Sequence, residues 1–259
     1  MSATQQAPRT GAPAQQVPGG AGTQPTVVVV GPRTRLGAAL LDRRTGPALA
    51  VARHGADADA LGAAWRDVLR VDASDVAARL QGAPSVEVAV CALGPVHPGP
   101  VDDLAADAAT IERDLAVVRS VLVAAAGRPA RVVLVSSVVA LAPTPDRRYY
   151  GGLKGAVEQA LVSLVAEHPG ARLDVLYPGR LRAGAARGPA QLLSTGYDRV
   201  AALVDRALRH GGAAGRRRVV GLDARAWLVV RSLSLVVSGL RPGRVDPSRE
   251  LARPPEVTS

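Results

Sequence analysis

Thr26-Val27-Val28-Val29-Val30-Gly31-Pro32-Arg33-Thr34-Arg35-Leu36-Gly37 is the stretch whose reading decides the fold. Four valines after a threonine predict a strand buried on both faces. The run ends in a turn bounded by Gly31 and Gly37, and Ala38-Ala39-Leu40-Leu41-Asp42-Arg43 then reads as helix. Strand, glycine-bounded turn and helix in that order aim backbone N–H groups and a helix N-terminus at one spot, the geometry that receives a pyrophosphate.

Working outward, the same alternation continues. Apolar runs at Ala48–Ala52, Val68–Val71, Val86–Ala92, Arg131–Ser136, Leu173–Tyr177 and Arg216–Gly221 read as strands. Between them lie a short helix over 73–81, a long amphipathic one over Val101–Ala126, one running from Tyr150 to near His168, and one over Tyr197–His210. In the long helix Leu104, Ala108, Ile111, Leu115, Val118 and Leu122 recur at three- and four-residue steps. No repeat interrupts the pattern, so the expected architecture is α/β: one Rossmann-type doubly wound parallel sheet of about seven strands, with helices on both faces.

A C-terminal amphipathic helix follows over Asp223–Leu240. Its apolar stripe is Ala226, Val229, Val230, Leu233, Val236, Val237 and Leu240, with Arg231, Ser234 and Ser238 opposite. That face is too polar for a bilayer span, so the helix is expected to pack on the domain or a second subunit rather than on a membrane surface. Residues 25–240 form the single expected domain, with a disordered tail over 1–24 and a loose one over 241–259.

Composition narrows the function. The chain has 259 residues, 47% of them hydrophobic but none of them Phe, so the core must be built from Val, Leu and Ala. A net charge of +10 comes from scattered arginines without aromatic platforms, which argues for an anionic ligand or a solvated basic surface and against nucleic acid. A lone cysteine, Cys91, leaves no internal disulfide, and the histidines at 54, 97, 168 and 210 have no ligand spacing, so no metal is expected. The first 24 residues lack the hydrophobic centre of a secretory signal, and the expected location is the cytoplasm.

Of the 32 basic side chains one alone is a lysine, Lys154. It lies in Arg148-Tyr149-Tyr150-Gly151-Gly152-Leu153-Lys154-Gly155, four residues after Tyr150 and on the same helical face. An ammonium one turn away favours ionisation of a phenol, whose ordinary pKa is about 10. Ser137, thirteen residues before Tyr150 and at a strand's carboxyl end, is placed to orient a substrate oxygen.

Ser137, Tyr150 and Lys154 together resemble the signature of the short-chain dehydrogenase/reductases, a catalytic serine followed by Tyr-x-x-x-Lys. The resemblance covers about residues 25–222. It implies that Ser137 holds a carbonyl oxygen, that Tyr150 donates the proton, and that Lys154 lowers the phenol pKa and binds the nicotinamide ribose. In the family's Thr-Gly-x-x-x-Gly-x-Gly turn this chain keeps Gly31 and Gly37, with Leu36 between, but has Val30 for the threonine and Arg35 for the middle glycine, where a guanidinium can pair with phosphate. Arg53, closing the second strand, faces the adenosine ribose, and with Arg33 it points to NADP(H) over NAD(H).

The resemblance further implies that Asp72 contacts adenine. Cys91-Ala92-Leu93-Gly94 stands where the family has Asn-Asn-Ala-Gly. Ala92, Leu93 and Gly94 are thus carried over as cofactor contacts. Asp114 takes the place of a relay asparagine; ionised, it accepts hydrogen bonds but donates none. Pro178, Gly179 and Leu181 match the segment that meets the nicotinamide carboxamide, with Ala183 in place of a threonine. Residues 184–196 are the expected substrate lid. The implied function is NADP(H)-dependent interconversion of a ketone and a secondary alcohol on a mostly apolar small molecule, in a homodimer or homotetramer. The departures leave open a repurposed fold whose trio performs non-redox proton transfer as a lyase, isomerase or cyclase.

Overall fold

The computed structural model describes residues 25–44, 48–52, 68–72, 76–94, 104–184, 193–210 and 215–240. Seven strands make one sheet: β1 (Thr26–Val30), β2 (Ala48–Ala52), β3 (Val68–Asp72), β4 (Val86–Val90), β5 (Ala130–Val135), β6 (Ala171–Pro178) and β9 (Arg217–Val220). Their order is β3-β2-β1-β4-β5-β6-β9, and every pairing is parallel. The chain moves outward from β1 to β3 and then returns to β4 on the other flank. This reversal opens a crevice at the carboxyl ends of β1 and β4.

Helices cover both faces because strand side chains alternate. Val28, Val30, Val88, Val90, Val132 and Leu134 share one cluster with Val117, Val118 and Val121 of α3 (Leu104–Ala124) and Val157, Leu161 and Leu164 of α5 (Arg148–Ala166). Val27, Val29, Ala89 and Val133, one residue out of phase, meet Leu36, Leu40 and Leu41 of α1 (Arg35–Leu41) and Val200, Val204 and Leu208 of α6 (Tyr197–His210). A short α2 (Val76–Arg79) lies between β3 and β4. At the rim Arg44 pairs with Asp205 at 2.7 Å and with Glu87 at 3.7 Å, joining the end of α1 to α6 and β4. Burial pushes the Glu87 carboxyl up, against the pull of Arg44.

Three details differ from expectation. Strand β5 ends at Val135, and Ser137 caps a four-residue helix, α4 (Val138–Leu141), that no periodicity reveals. Part of the expected lid is ordered: β7 (Leu181–Arg182) pairs in parallel with β8 (Thr195–Gly196), while 185–192 lie outside the described residues. The last helix, α7 (Leu222–Leu240), presents its stripe the other way: Ala226, Val229, Val230 and Leu233 face solvent, and Arg231 is half-buried. The expected tails, 1–24 and 241–259, also lie outside the described residues. No described helix is long and apolar enough to cross a membrane.

Candidate active site

Four strand ends supply the site. At β1, Gly31 has φ +79°, and a Cβ there would stand 2.7 Å from the Ala92 side chain. A Cβ on Gly37 would collide with the Gly31 carbonyl. Gly31 is therefore demanded by the close seating of the turn on the end of β4, and Gly37 by the tight folding of α1 back onto the turn itself. Thr34, which the family pattern passes over, caps α1: its Oγ1 accepts from Gly37 N at 3.0 Å and donates to the Gly31 carbonyl at 2.8 Å. The signal for it was a threonine immediately before a helix. Leu36 is buried in the core, so its side chain is turned from the crevice, whereas Arg33 and Arg35 are exposed beside the turn.

At β4, Cys91, Ala92 and Leu93 are buried and Gly94 turns with φ +72°. Asp114, fully buried on α3, accepts from Gly94 N through Oδ2 at 2.8 Å. Lys154 Nζ donates to the Leu93 carbonyl at 2.6 Å. The lysine and the buried acid thus grip the two sides of one peptide group, the Leu93 carbonyl and the Gly94 N–H. Burial pushes the Cys91 thiol up to about 12, so it stays protonated and is no nucleophile.

At β5, Ser137 is half-buried and its Oγ accepts from Val139 N at 3.5 Å, a long bond that uses only the oxygen's acceptor side and is compatible with its O–H donating elsewhere. Ser136, its neighbour, has a buried Oγ without a hydrogen-bond partner among the described residues. Gly151 brings α5 down onto α4: a Cβ there would lie 2.6 Å from the Val139 carbonyl. That close approach seats half-buried Tyr150 against the cluster of Val138, Val139 and Ala224. Lys154 Nζ lies 5.5 Å from the Tyr150 ring centroid. Burial pushes the Tyr150 phenol above its ordinary value, and the guanidinium of Arg147 opposes the rise. The resemblance implies that Lys154 tunes this phenol downward; in the structure burial dominates and favours the neutral phenol. Tyr149 instead ties α5 to α3, its hydroxyl donating to Asp107 at 2.7 Å.

At β6, the segment after Pro178 is held from α7. Asp223 Oδ2 accepts from Arg180 N at 2.6 Å, and the Asp223 carboxylate occupies the space a Cβ on Gly179 would need. Trp227 Nε1 donates to the Ala142 carbonyl at 3.0 Å, joining α7 to the end of α4. Neither residue was singled out from sequence, because each acts through a contact between segments far apart in the chain. Leu181 is half-buried in β7. Asp72 closes β3 opposite Ala52, at the same sheet edge, while Arg53 lies outside the described residues.

The crevice fits an anionic dinucleotide. Its turn has no Cβ at Gly31 or Gly37, and two exposed guanidiniums flank it. A cavity of about 290 Å³ between α3, Ala130 and His168 lies at the opposite, amino-terminal edge of the sheet and takes no part.

Solved structures share this architecture. A short-chain dehydrogenase from Streptomyces avermitilis matches with a TM-score of 0.62 at 20% identity, over 84% of this chain and 95% of that one. A Burkholderia cenocepacia short-chain dehydrogenase in complex with NADP matches at 0.59 and 21%, over 88% and 98%. A 3-ketoacyl-(acyl-carrier-protein) reductase from Brucella melitensis complexed with NADH matches at 0.59 and 15%, over 77% and 98%. No family model and no curated protein matches the sequence.

Proposed function

The chain has the short-chain dehydrogenase/reductase fold, and from it we propose that the protein is an NADP(H)-dependent oxidoreductase interconverting a ketone and a secondary alcohol. The observation that carries this reading is the Leu93–Gly94 turn. There Lys154, one helical turn from the proton donor Tyr150, is bound to the strand end that packs on the glycine turn through Ala92. Acid/base groups and anion-binding turn therefore share one crevice.

Gly31, Arg33, Arg35, Gly37, Arg53, Asp72, the backbone of Ala92–Gly94, Pro178, Gly179 and Leu181 would hold the cofactor, with Arg33 and Arg53 favouring the 2′-phosphate of NADP(H). When bound, the cofactor supplies the hydride. Ser137 Oγ then donates a hydrogen bond to the substrate carbonyl oxygen, and the Tyr150 phenol delivers its proton to that oxygen as negative charge develops there. The Lys154 ammonium and the Arg147 guanidinium stabilise the phenolate left behind. Val138, Val139 and Ala224 form an apolar cluster on which Tyr150, Trp227 and Leu228 all pack, which suits a mostly apolar small molecule. The reading includes a cytoplasmic, homo-oligomeric protein.

The test is consumption of NADPH on addition of a panel of apolar ketones. Turnover by the wild type and its loss in Tyr150→Phe are expected. Conversion of a substrate in the absence of any nicotinamide would instead favour the non-redox proton-transfer reading, which draws on Thr34 having taken the Gly37 amide.

A further inference from the structure

Strand β9 ends at Val220, and Gly221 follows with φ +104°, a conformation that L side chains rarely adopt. A Cβ there would stand 2.5 Å from Thr195 Oγ1 and 2.6 Å from Asp223 Oδ1. The bare turn thus lets the first residues of α7 come back against the end of β6. There the backbone groups of Gly179 and Arg180 are held from three sides. Gly179 N donates to the Val220 carbonyl at 3.3 Å, Arg180 N donates to Asp223 Oδ2 at 2.6 Å, and the Arg180 carbonyl accepts from Thr195 N of β8 at 3.0 Å. The Asp223 carboxylate also packs against Gly179 so closely that a Cβ on the glycine would lie 2.6 Å from its Cγ.

An acid in the first turn of a helix ordinarily answers that helix's own free N–H groups and dipole. Asp223 instead gives Oδ2 to an amide 43 residues away, while Oδ1 is buried with no hydrogen-bond partner among the described residues. Leaving a buried carboxylate oxygen unanswered is unfavourable. The contact with Arg180, and not the capping of α7, is therefore what fixes this carboxylate.

We propose that Asp223 is a positioning residue for the nicotinamide half of the cofactor site: by fixing the Arg180 amide it orders the Pro178–Leu181 segment before a dinucleotide arrives. This rests on the oxidoreductase reading, in which Pro178, Gly179 and Leu181 meet the cofactor. A carboxylate accepting a backbone N–H makes a stronger bond than the neutral ones to Val220 and Thr195. Without it the segment spends less of its time in the binding arrangement, and affinity falls in proportion to that fraction. The adenosine half owes nothing to Asp223, because the glycine turn closes β1 and Asp72 closes β3, whereas β6 stands three places beyond β1 on the other flank.

Paired titrations test this. NADPH probes the whole site, and adenosine 2′,5′-bisphosphate, which lacks the nicotinamide half, probes the adenosine end alone. Asp223→Ala should weaken NADPH binding about tenfold or more and leave adenosine 2′,5′-bisphosphate within about twofold of the wild type. Asp223→Asn, which keeps an acceptor oxygen for Arg180 N, should recover most of the NADPH affinity. Trp227→Phe, which breaks the tie between α7 and the Ala142 carbonyl, should leave both affinities unchanged. Hydrogen exchange on the wild type needs no variant and so decides the matter even if Asp223→Ala does not fold: the Arg180 amide should exchange about tenfold or more slowly than an unprotected amide. Unchanged NADPH affinity in Asp223→Ala, equal loss of both ligands, an equal effect from Trp227→Phe, or an unprotected Arg180 amide would each overturn the proposal and leave the oxidoreductase reading standing. A wild type that does not bind NADPH would overturn both.

Discussion

The glycine-turn side of the crevice and the acid/base corner beside it are built by opposite means. On the first side three loops are each pinned by a side-chain oxygen on a backbone amide: Thr34 on Gly37 N, Asp114 on Gly94 N and Asp223 on Arg180 N. In the corner, Tyr150 is set by packing, with Gly151 pressed on the Val139 carbonyl and Val138, Val139 and Ala224 around the ring. The departures from the family pattern fall on the first side, where side-chain oxygens fix the loops and Arg33 and Arg35 stand exposed beside the turn. The kept motif falls where close packing leaves little freedom for substitution.

The largest expected effect isolates the corner. Tyr150→Phe should lower kcat by about 10²- to 10⁴-fold while leaving NADPH affinity roughly unchanged, measured by steady-state kinetics beside a binding titration. Loss of both together would erase the contrast between the two sides. Next in size, Asp114→Ala removes a fully buried acceptor from Gly94 N and should reduce stability by about 1–3 kcal/mol in urea denaturation. Asp114→Asn, which keeps an acceptor oxygen, should lose much less.

A smaller effect probes the arginine that replaces a glycine. Arg35→Gly restores the family residue, yet it should weaken NADPH binding by about three- to tenfold and flatten its salt dependence, because an exposed guanidinium beside the turn can pair with a phosphate. Tighter binding in the variant would show that the side chain obstructs rather than attracts. The smallest effect is on pH dependence. Reduction requires the neutral phenol, burial raises the Tyr150 pKa, and the rate should therefore hold through neutrality and fall only above the ordinary phenol range. Arg147 opposes the rise, so Arg147→Gln should move the alkaline limb further up, as a pH–rate profile will record.

Much of this was legible in the residues. Parallel strands buried on both faces are runs of Val, Leu and Ala, and those runs put the strands where they lie. Helix α4 was not legible, because Val138-Val139-Ala140-Leu141 looks like more strand and only the cap at Ser137 separates them. The stripe of α7 was visible as a period, but a period does not say which way it faces. Leu36 sits inside the glycine turn in sequence and inside the core in space. Asp223 and Trp227 reach residues 43 and 85 positions away, beyond any local pattern.

We propose that the altered glycine turn still receives a phosphorylated nicotinamide dinucleotide beside Tyr150 and Lys154. Fluorescence titration of NADPH with the wild-type protein tests it most directly. Saturable binding in the low micromolar range, weaker for NADH, is expected; no binding of either dinucleotide at millimolar concentration would contradict it.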